Sequence, residues 1–218
     1  LEGLPQAAPS TASWTVDTAL QLVRLNEIAA HTADGNDWVE LYNGGAEPID
    51  TAGWLIAESA AGAGGSFLPS TIIPPGGYAL LNTATTGLNL DKDGDAIYLL
   101  DPSMALRDSM TFGTQPPGYT LGRTGPAGIW TLNIPTPGAA NQGAALTTAA
   151  AGLRITEVFA SPVVSYKDDW LELFNPGTLP VELSGLRLSD NRAGTSGSII
   201  PPFSYIAPAG YAALSGES

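Results

Sequence analysis

The strongest constraint on the fold of this chain is a segment that occurs twice. Asp-Trp-Val-Glu-Leu-Tyr-Asn at residues 37–43 returns as Asp-Trp-Leu-Glu-Leu-Phe-Asn at residues 169–175. The offset is about 130 residues, whereas solenoid repeats span roughly 20 to 50, so the period indicates two copies of a whole domain. Flanking landmarks return in the same order: Arg24 to Ile28 as Arg154 to Val158, Pro48 as Pro180, Gly53 as Gly185, and Gly77-Tyr78 as Gly210-Tyr211.

The duplication predicts four segments in the 218-residue chain. We expect an N-terminal lead-in at 1–21, a complete domain at 22–143, an Ala/Thr/Gly linker at 144–152 and a partial second domain at 153–218. We also expect the chain to be part of a longer multidomain protein.

The second copy should lack the strands that correspond to residues 96–130. Half a sandwich exposes unpaired strand edges, so we expect the first copy, the N-terminal segment or another molecule to cover them. Self-association through the incomplete second domain is one form of this prediction.

Composition excludes several classes of function. The chain has eight Lys and Arg against 21 Asp and Glu, a formal charge of −13. No basic cluster is present, which argues against nucleic-acid binding by direct electrostatic contact. No apolar run reaches the roughly 18 residues of a membrane span. The absence of cysteine removes disulfides, zinc–thiolate sites and cysteine nucleophiles.

Short alternating segments predict an all-β fold. Residues 21–28 and 37–42 alternate apolar and polar side chains, as half-buried strands do. Asp93-Gly94 lies between two apolar runs, at 88–90 and 96–100, and favours a hairpin turn there. No stretch combines helical periodicity with caps, so the pattern indicates a β-sandwich or barrel.

The ordered landmarks resemble the lamin-tail domain as it occurs in bacterial proteins. The resemblance implies an immunoglobulin-like β-sandwich, with one complete copy and a partial second copy. It rests on these segments: Leu25 to Ile28, Asp37 to Asn43, Pro48 to Trp54, Ile73 to Tyr78, Asp93 to Asp95, and Pro135-Thr136-Pro137-Gly138-Ala139-Ala140-Asn141.

The family resemblance implies a module and not a reaction. We expect a non-catalytic, exported module at the cell surface or outside the cell, which tethers, spaces or presents neighbouring domains by protein or cell-surface contact. The alternative is a ligand-binding module, for a glycan or assisted by calcium, accessory to an extracellular nuclease, phosphatase or other hydrolase.

Calcium is the one metal that the sequence brings into question. Asp91, Asp93 and Asp95 alternate along the chain, and three carboxylates can converge on a hard cation. The segment departs from an EF-hand, because Gly94 precedes the third Asp and Pro102 occupies the twelfth position. The sequence therefore favours a structural turn over a calcium site, and we expect no cofactor.

Glu27 and Glu40 lie on neighbouring predicted strands and could be read as a glycosidase-type acid and base. Glu157 and Glu172 stand at the matching positions of the second copy, so the pair is a property of the fold unit. We expect structural carboxylates that accept loop N–H groups or pair with an arginine such as Arg123.

The remaining chemical groups predict no catalytic site. His31 is the only histidine and has no counterpart in the second copy, so it is interpreted as a solvated loop residue. A serine triad would need that same histidine, and no nucleophile-elbow motif is present. Aromatic residues that could meet a carbohydrate follow no selective spacing. They are Trp14, Tyr119, Trp130 and Tyr166.

Overall fold

The computed structural model describes residues 22–147, 152–160, 169–191 and 197–215. We call residues 22–147 the first unit and the described part of 152–215 the second unit. The expected lead-in at 1–21 lies outside the described residues, as do residues 148–151 of the expected linker. The strands of the first unit are β1 Val23–Ala29, β2 Trp38–Asn43, β3 Ile49–Asp50, β4 Leu55–Ala57, β5 Ser66–Phe67, β6 Ile72–Ile73, β7 Tyr78–Asn82, β8 Asp95–Leu100, β9 Leu106–Phe112, β10 Thr120–Thr124, β11 Ile129–Ile134 and β12 Gln142–Gly143. Those of the second unit are β13 Arg154–Phe159, β14 Trp170–Phe174, β15 Val181–Glu182, β16 Arg187–Leu188, β17 Ser198–Ile199, β18 Tyr205–Ile206 and β19 Tyr211–Ser215.

The first unit is an antiparallel β-sandwich, which confirms the predicted fold class. One sheet has the strand order β12-β11-β10-β1-β2-β7, and the other has the order β5-β4-β8-β9. The inward-facing positions of the two sheets meet in one apolar core, as alternation along a half-buried strand requires. Its completely or almost completely buried members include Leu25, Leu41, Trp54, Ile97 and Phe112.

Local details differ from the sequence-based expectation at three places. Residues 88–90 do not form a strand, and Leu88 and Leu90 instead bury their side chains in the core. A one-turn helix, α1 Thr83–Thr86, precedes them, with Asn82 as its N-cap and a left-handed Gly87 at its end. The sequence also predicts that regular pairing ends at Pro135-Thr136-Pro137-Gly138, whereas β12 follows this loop and joins β11.

The second unit repeats the first strand pair of the sandwich. Arg154 pairs with Phe174 and Val158 with Leu171, as Arg24 pairs with Tyr42 and Ile28 with Val39. A β-bulge interrupts both ladders at the same place, between Leu25 and Glu27 and between Ile155 and Glu157. Strand β13 ends the three-stranded sheet β13-β14-β19, and the described residues place no strand on its outer edge.

The two units meet at a junction formed by residues 113–115 and 201–206. The Gly113 N–H donates to the carbonyl of Pro202 at 3.0 Å, and the Tyr205 N–H donates to Thr114 at 2.8 Å. Gln115 adds a side-chain bond from Nε2 to the carbonyl of Phe203 at 2.7 Å. Tyr205 is 3% exposed and belongs to the core cluster of the first unit. No helix in the described residues is long and apolar enough to cross a membrane.

Candidate functional site

The two repeated glutamates of the first unit lie side by side inside the protein. Glu27 on β1 pairs directly with Glu40 on β2, just after the β-bulge, and neither residue is exposed to solvent. Two buried carboxylates that lie opposite each other on paired strands require hydrogen-bond donors from elsewhere in the fold. The structure supplies these donors from β10 and from the loop at 135–141.

Glu27 accepts hydrogen bonds from two threonines that are distant in sequence. The hydroxyl of Thr120 on β10 donates to Oε1 of Glu27. Thr136 donates its backbone N–H to the same oxygen at 3.1 Å and its hydroxyl to Oε2 at 3.1 Å. Both carboxylate oxygens are therefore held by groups of the same domain.

Glu40 is satisfied in a similar way. Its Oε1 accepts from Nδ2 of Asn26 at 2.8 Å, and its Oε2 accepts from the backbone N–H of Gly138. Asn141 completes the arrangement, because its Nδ2 donates to the carbonyl of Asn26 at 2.8 Å and to the carbonyl of Arg123 at 3.0 Å. We call Asn26, Glu27, Glu40, Thr136, Gly138 and Asn141 the carboxylate cluster.

Burial dominates the acidity of both glutamates. It raises the pKa of Glu27 above the ordinary value of 4.5, although the hydrogen bonds from Thr120 and Thr136 act in the opposite direction. It likewise raises the pKa of Glu40, to which the neighbouring charge of Glu27 adds. Raised pKa values also occur in catalytic acids, but here both carboxylates are bonded to donors of their own domain, and neither glutamate lines the cavities beside His31, Trp38 and Tyr205.

An ion pair fills the β-bulge beside the carboxylate cluster. The guanidinium of Arg123 donates to both carboxylate oxygens of Asp108, at 2.8 and 2.9 Å, and its Nε donates to the carbonyl of Leu25 at 2.9 Å. Asp108 also accepts the Leu25 N–H at 3.0 Å. The two side chains thus satisfy the backbone N–H and carbonyl of Leu25 beside the bulge, and Arg123 pairs with Asp108 and not with a glutamate.

The corresponding glutamates of the second unit have different surroundings. Glu157 is exposed, and Glu172 is partly buried. Glu172 accepts a hydrogen bond from the hydroxyl of Thr156 at 2.7 Å. The described residues provide no counterpart of β10 or of the loop at 135–141 there. The same sequence positions are therefore fully buried in the first unit and accessible to solvent in the second.

The asparagine that ends the duplicated segment keeps one role in both units. Nδ2 of Asn43 donates to the carbonyls of Glu47 and Ile73, at 2.8 and 3.0 Å, while Oδ1 accepts the Gly45 N–H. Asn175 makes the same set of bonds, to Leu179, Ala207 and Gly177, each at 2.9 Å. Both asparagines are almost fully buried.

The calcium candidates form a turn. Asp91 accepts the Asp93 N–H at 2.9 Å, Asp95 accepts the Asp91 N–H at 3.0 Å, and Lys92 pairs with Asp93 at 2.6 Å. Gly94 has φ 146° and donates its N–H to Asp91, which closes the turn. Among the described residues, no three carboxylate or histidine groups converge in a geometry suited to a metal ion.

Histidine and aromatic candidates are engaged in packing. Nδ1 of His31 lies 2.8 Å from the carbonyl of Gln115, so the residue is only partly solvated. The guanidinium carbon of Arg123 lies over the ring of Trp130, 4.7 Å from the ring centre, and Tyr119 packs against the core. Trp14 and Tyr166 lie outside the described residues.

Sequence reasoning did not identify the partners of the glutamates. Thr120 carries no motif of its own, and only its place in the folded sheet makes it a partner of Glu27. The Thr-Pro-Gly-Ala-Ala-Asn loop was a visible signal, because it follows the last long strand and carries the donors Thr136, Gly138 and Asn141.

Comparison with known families agrees with the architecture. Residues 17–114 match the family model described as Lamin Tail Domain. The match spans β1 to β9 and ends before β10. No curated protein and no solved structure matches the chain significantly. Residues 17–114 are therefore similar to the lamin tail domain, whose fold is an immunoglobulin-like β-sandwich.

Proposed function

We propose that this chain is a non-catalytic, exported module that spaces, tethers or presents neighbouring domains through protein or cell-surface contacts. The lamin tail domain is an immunoglobulin-like module and not a known catalytic family. The glutamate pair, which most resembles catalytic groups, is occupied by donors of its own domain. That occupancy supports a structural role for the pair.

The second unit is, in this proposal, a partial second copy of the lamin tail domain. The shared strand register, the shared bulge and the shared hydrogen bonds of Asn43 and Asn175 support this assignment. The proposed boundaries are 22–143 and 153–218, with 144–152 as the connection. Thr147 donates its N–H to the carbonyl of Pro180 at 2.9 Å, so the connection touches the second copy.

The junction between the units is the observation that carries the spacer role. Two backbone hydrogen bonds and the bond from Gln115 join the units, and the ring of Tyr205 is buried in the first core. Burial raises the pKa of Tyr205 to about 12, with a smaller contribution from the nearby charge of Glu182. A buried aromatic ring and several directional bonds restrict the relative motion of two domains more than a flexible linker does.

Distance measurements in solution test the spacer role. The chain has no cysteine, so Ala127→Cys and Thr178→Cys provide two unique, exposed labelling positions, one in each unit. Pulsed electron spin resonance should give one narrow distance distribution. Tyr205→Ala should broaden it, whereas Tyr211→Ala, a change at a residue that is 61% exposed, should leave it narrow. A broad distribution in the parent protein would contradict the proposal.

Two further experiments test the remaining parts of the proposal. Purified chain should show no nuclease, phosphatase or glycosidase turnover with or without calcium, and an activity that follows the protein through purification would overturn the non-catalytic assignment. Antibody labelling of intact source cells should detect the protein at the surface or in the medium. Detection only after lysis would contradict the proposed location.

A further inference from the structure

We propose that the outer edge of β6 in the first unit is a docking surface for another lamin-tail-like domain, at the segment of that domain that corresponds to residues 113–115. The inference deepens the spacer role, on which it rests, because it names the kind of domain that the module holds. It starts from the junction, where the second unit already uses the equivalent edge, that of β18, against residues 113–115 of the first unit.

The edges of β6 and β18 occupy the same place in their units. Ile72 pairs with Asp50 on β3 as Tyr205 pairs with Glu182 on β15, so Ile72 is the counterpart of Tyr205. The carbonyl before each of them accepts the N–H that follows Asp50 or Glu182, at 3.0 Å and 2.8 Å respectively. Because backbone groups alternate in direction along a strand, the N–H groups of Ile72 and Tyr205 both point away from the paired strand.

The two counterparts differ in burial because only one of them is docked. Tyr205 is 3% exposed, and its N–H donates to the carbonyl of Thr114 at 2.8 Å. Ile72 is 61% exposed, and Ser70 and Thr71 beside it are exposed as well. The β3–β6 pair and the segments next to it in the sequence are all described, and no described strand pairs with the other edge of β6. The exposure of Ile72 therefore belongs to the complete copy of the domain.

The junction joins two different surfaces, so the same contact can be repeated. The first unit contributes the segment after β9, and the second unit contributes the edge of β18. A heterologous contact of this kind leaves the β6 edge of the first unit free to meet the segment after β9 in a further domain. Residues 113–115 are occupied by the second unit of the same chain, so the occupant is a domain in which this segment is free, and not a second copy of the chain.

Charge favours this pair of surfaces over other contacts between acidic domains. The chain carries a formal charge of −13, but neither residues 69–76 nor residues 109–119 contain a charged side chain. Two neutral surfaces approach each other without the like-charge repulsion that opposes other contacts between domains of this type. The occupant therefore presents a neutral segment, as the first unit does at residues 113–115.

Close backbone approach defines a residue that the occupant needs. A Cβ atom at Gly113 would lie 2.0 Å from Oγ of Ser204 and 3.2 Å from Cβ of Pro201. The corresponding residues of the first unit are Thr71 and Pro69, which are no smaller. A domain that docks on the β6 edge thus needs glycine at the position of Gly113.

One residue of the junction has no counterpart in the first unit. Phe203 is an insertion before the equivalent of Thr71, has a φ of 54° and packs against the first core. The β6 edge therefore docks through Ile72 without a second large ring and holds its partner less tightly than β18 does. Such a contact is effective where a tether keeps two domains at a high local concentration.

Cross-linking between two variants of the full chain tests the proposal. The donor carries Ile72→Cys, and the acceptor carries Thr114→Cys together with Tyr205→Ala, which releases residues 113–115 from their own second unit. The chain has no other cysteine. Oxidation of the mixture should link positions 72 and 114, as identified by mass spectrometry. The yield should be at least fivefold higher than the yield from a donor with Ile129→Cys, a change at a residue of β11 that is 64% exposed.

Two further acceptors define the contact. Adding Gly113→Val should reduce the yield to that of the Ile129→Cys donor, because the new side chain blocks the approach of the β6 edge. An acceptor with Thr114→Cys and an intact Tyr205 should give little product, because its segment is occupied. Circular dichroism must show the parent spectrum for each variant, and Phe203→Ala serves as a second change that releases the junction.

Each other outcome contradicts the proposal. Equal yields from the Ile72→Cys and Ile129→Cys donors, or a yield that Gly113→Val leaves unchanged, would overturn it. Links between two copies of position 72 alone would assign the β6 edge to two-fold pairing of this chain instead. The spin-label distance within one chain is measured separately. A narrow distance distribution without the cross-link refutes this inference alone, whereas a broad distribution refutes the spacer role.

Discussion

Replacing Glu27 by alanine should destabilise the first unit, whereas the same change at the equivalent Glu157 should have little effect. The change removes the acceptor for the Thr120 hydroxyl, the Thr136 N–H and the Thr136 hydroxyl, all in a buried site. A buried polar group left without a partner costs about 1–3 kcal/mol, and hydroxyls can turn to other acceptors, so the Thr136 N–H accounts for most of the loss. Loss of a desolvated charge beside Glu40 returns about 1 kcal/mol. These terms leave a net destabilisation of about 1–2 kcal/mol.

Urea unfolding followed by tryptophan fluorescence measures this change, because Trp54 is completely buried in the first unit. At a slope of about 2 kcal/mol per molar urea, the midpoint should fall by about 0.5–1 M. The matched control is Glu157→Ala, at the equivalent but exposed position, which should stay within about 0.5 kcal/mol. Equal effects of the two variants, or no effect of Glu27→Ala, would refute the reasoning.

Further predictions concern the remaining polar contacts. Asn175→Ala should lower the stability of the second unit by about 2 kcal/mol in hydrogen-exchange measurements, since its side chain satisfies two carbonyls and one N–H. Asp108→Ala should destabilise the first unit by about 2 kcal/mol in urea unfolding, because it leaves a mostly buried guanidinium unpaired. Stability of the first unit should rise as pH falls from 7 towards 5. Burial raises the folded-state pKa values of Glu27 and Glu40, so their ionisation above about pH 4.5 opposes folding. The urea midpoint, determined at several pH values, measures this change in stability. The stabilising contribution of Asp101, whose pKa is lowered to about 2, is lost only below about pH 4 and leaves that window unaffected.

Much of the fold could be predicted from local patterns. The alternating residues around Glu27 and Glu40 form β1 and β2, and the turn at Asp93-Gly94 leads into β8. Residues 88–90 were misread because alternation alone cannot separate a short strand from a loop with two buried leucines. Helix α1 could not be predicted from hydrophobic periodicity, because a single turn capped by Asn82 and Gly87 is too short to show a period.

The partners of the glutamates could not be predicted, because the contacts are far apart in sequence. Thr120 and Thr136 lie 93 and 109 residues from Glu27, and their positions follow only from the closing of the sandwich. The expectation that loop N–H groups hold the carboxylates agrees with the geometry. The alternative, an arginine partner such as Arg123, is wrong in the first unit, because the bulge already gives that guanidinium a carbonyl and an aspartate.

The duplicated segment therefore combines two kinds of residue. In both units its asparagine donates to a carbonyl that is 4 residues away in the sequence. It also donates to a second carbonyl, 30 residues away in the first unit and 32 in the second, so all of these partners lie in the first half of the sandwich. Its glutamate needs donors from the second half. The second unit consequently contains a satisfied Asn175 beside an exposed Glu157 and an open β13 edge.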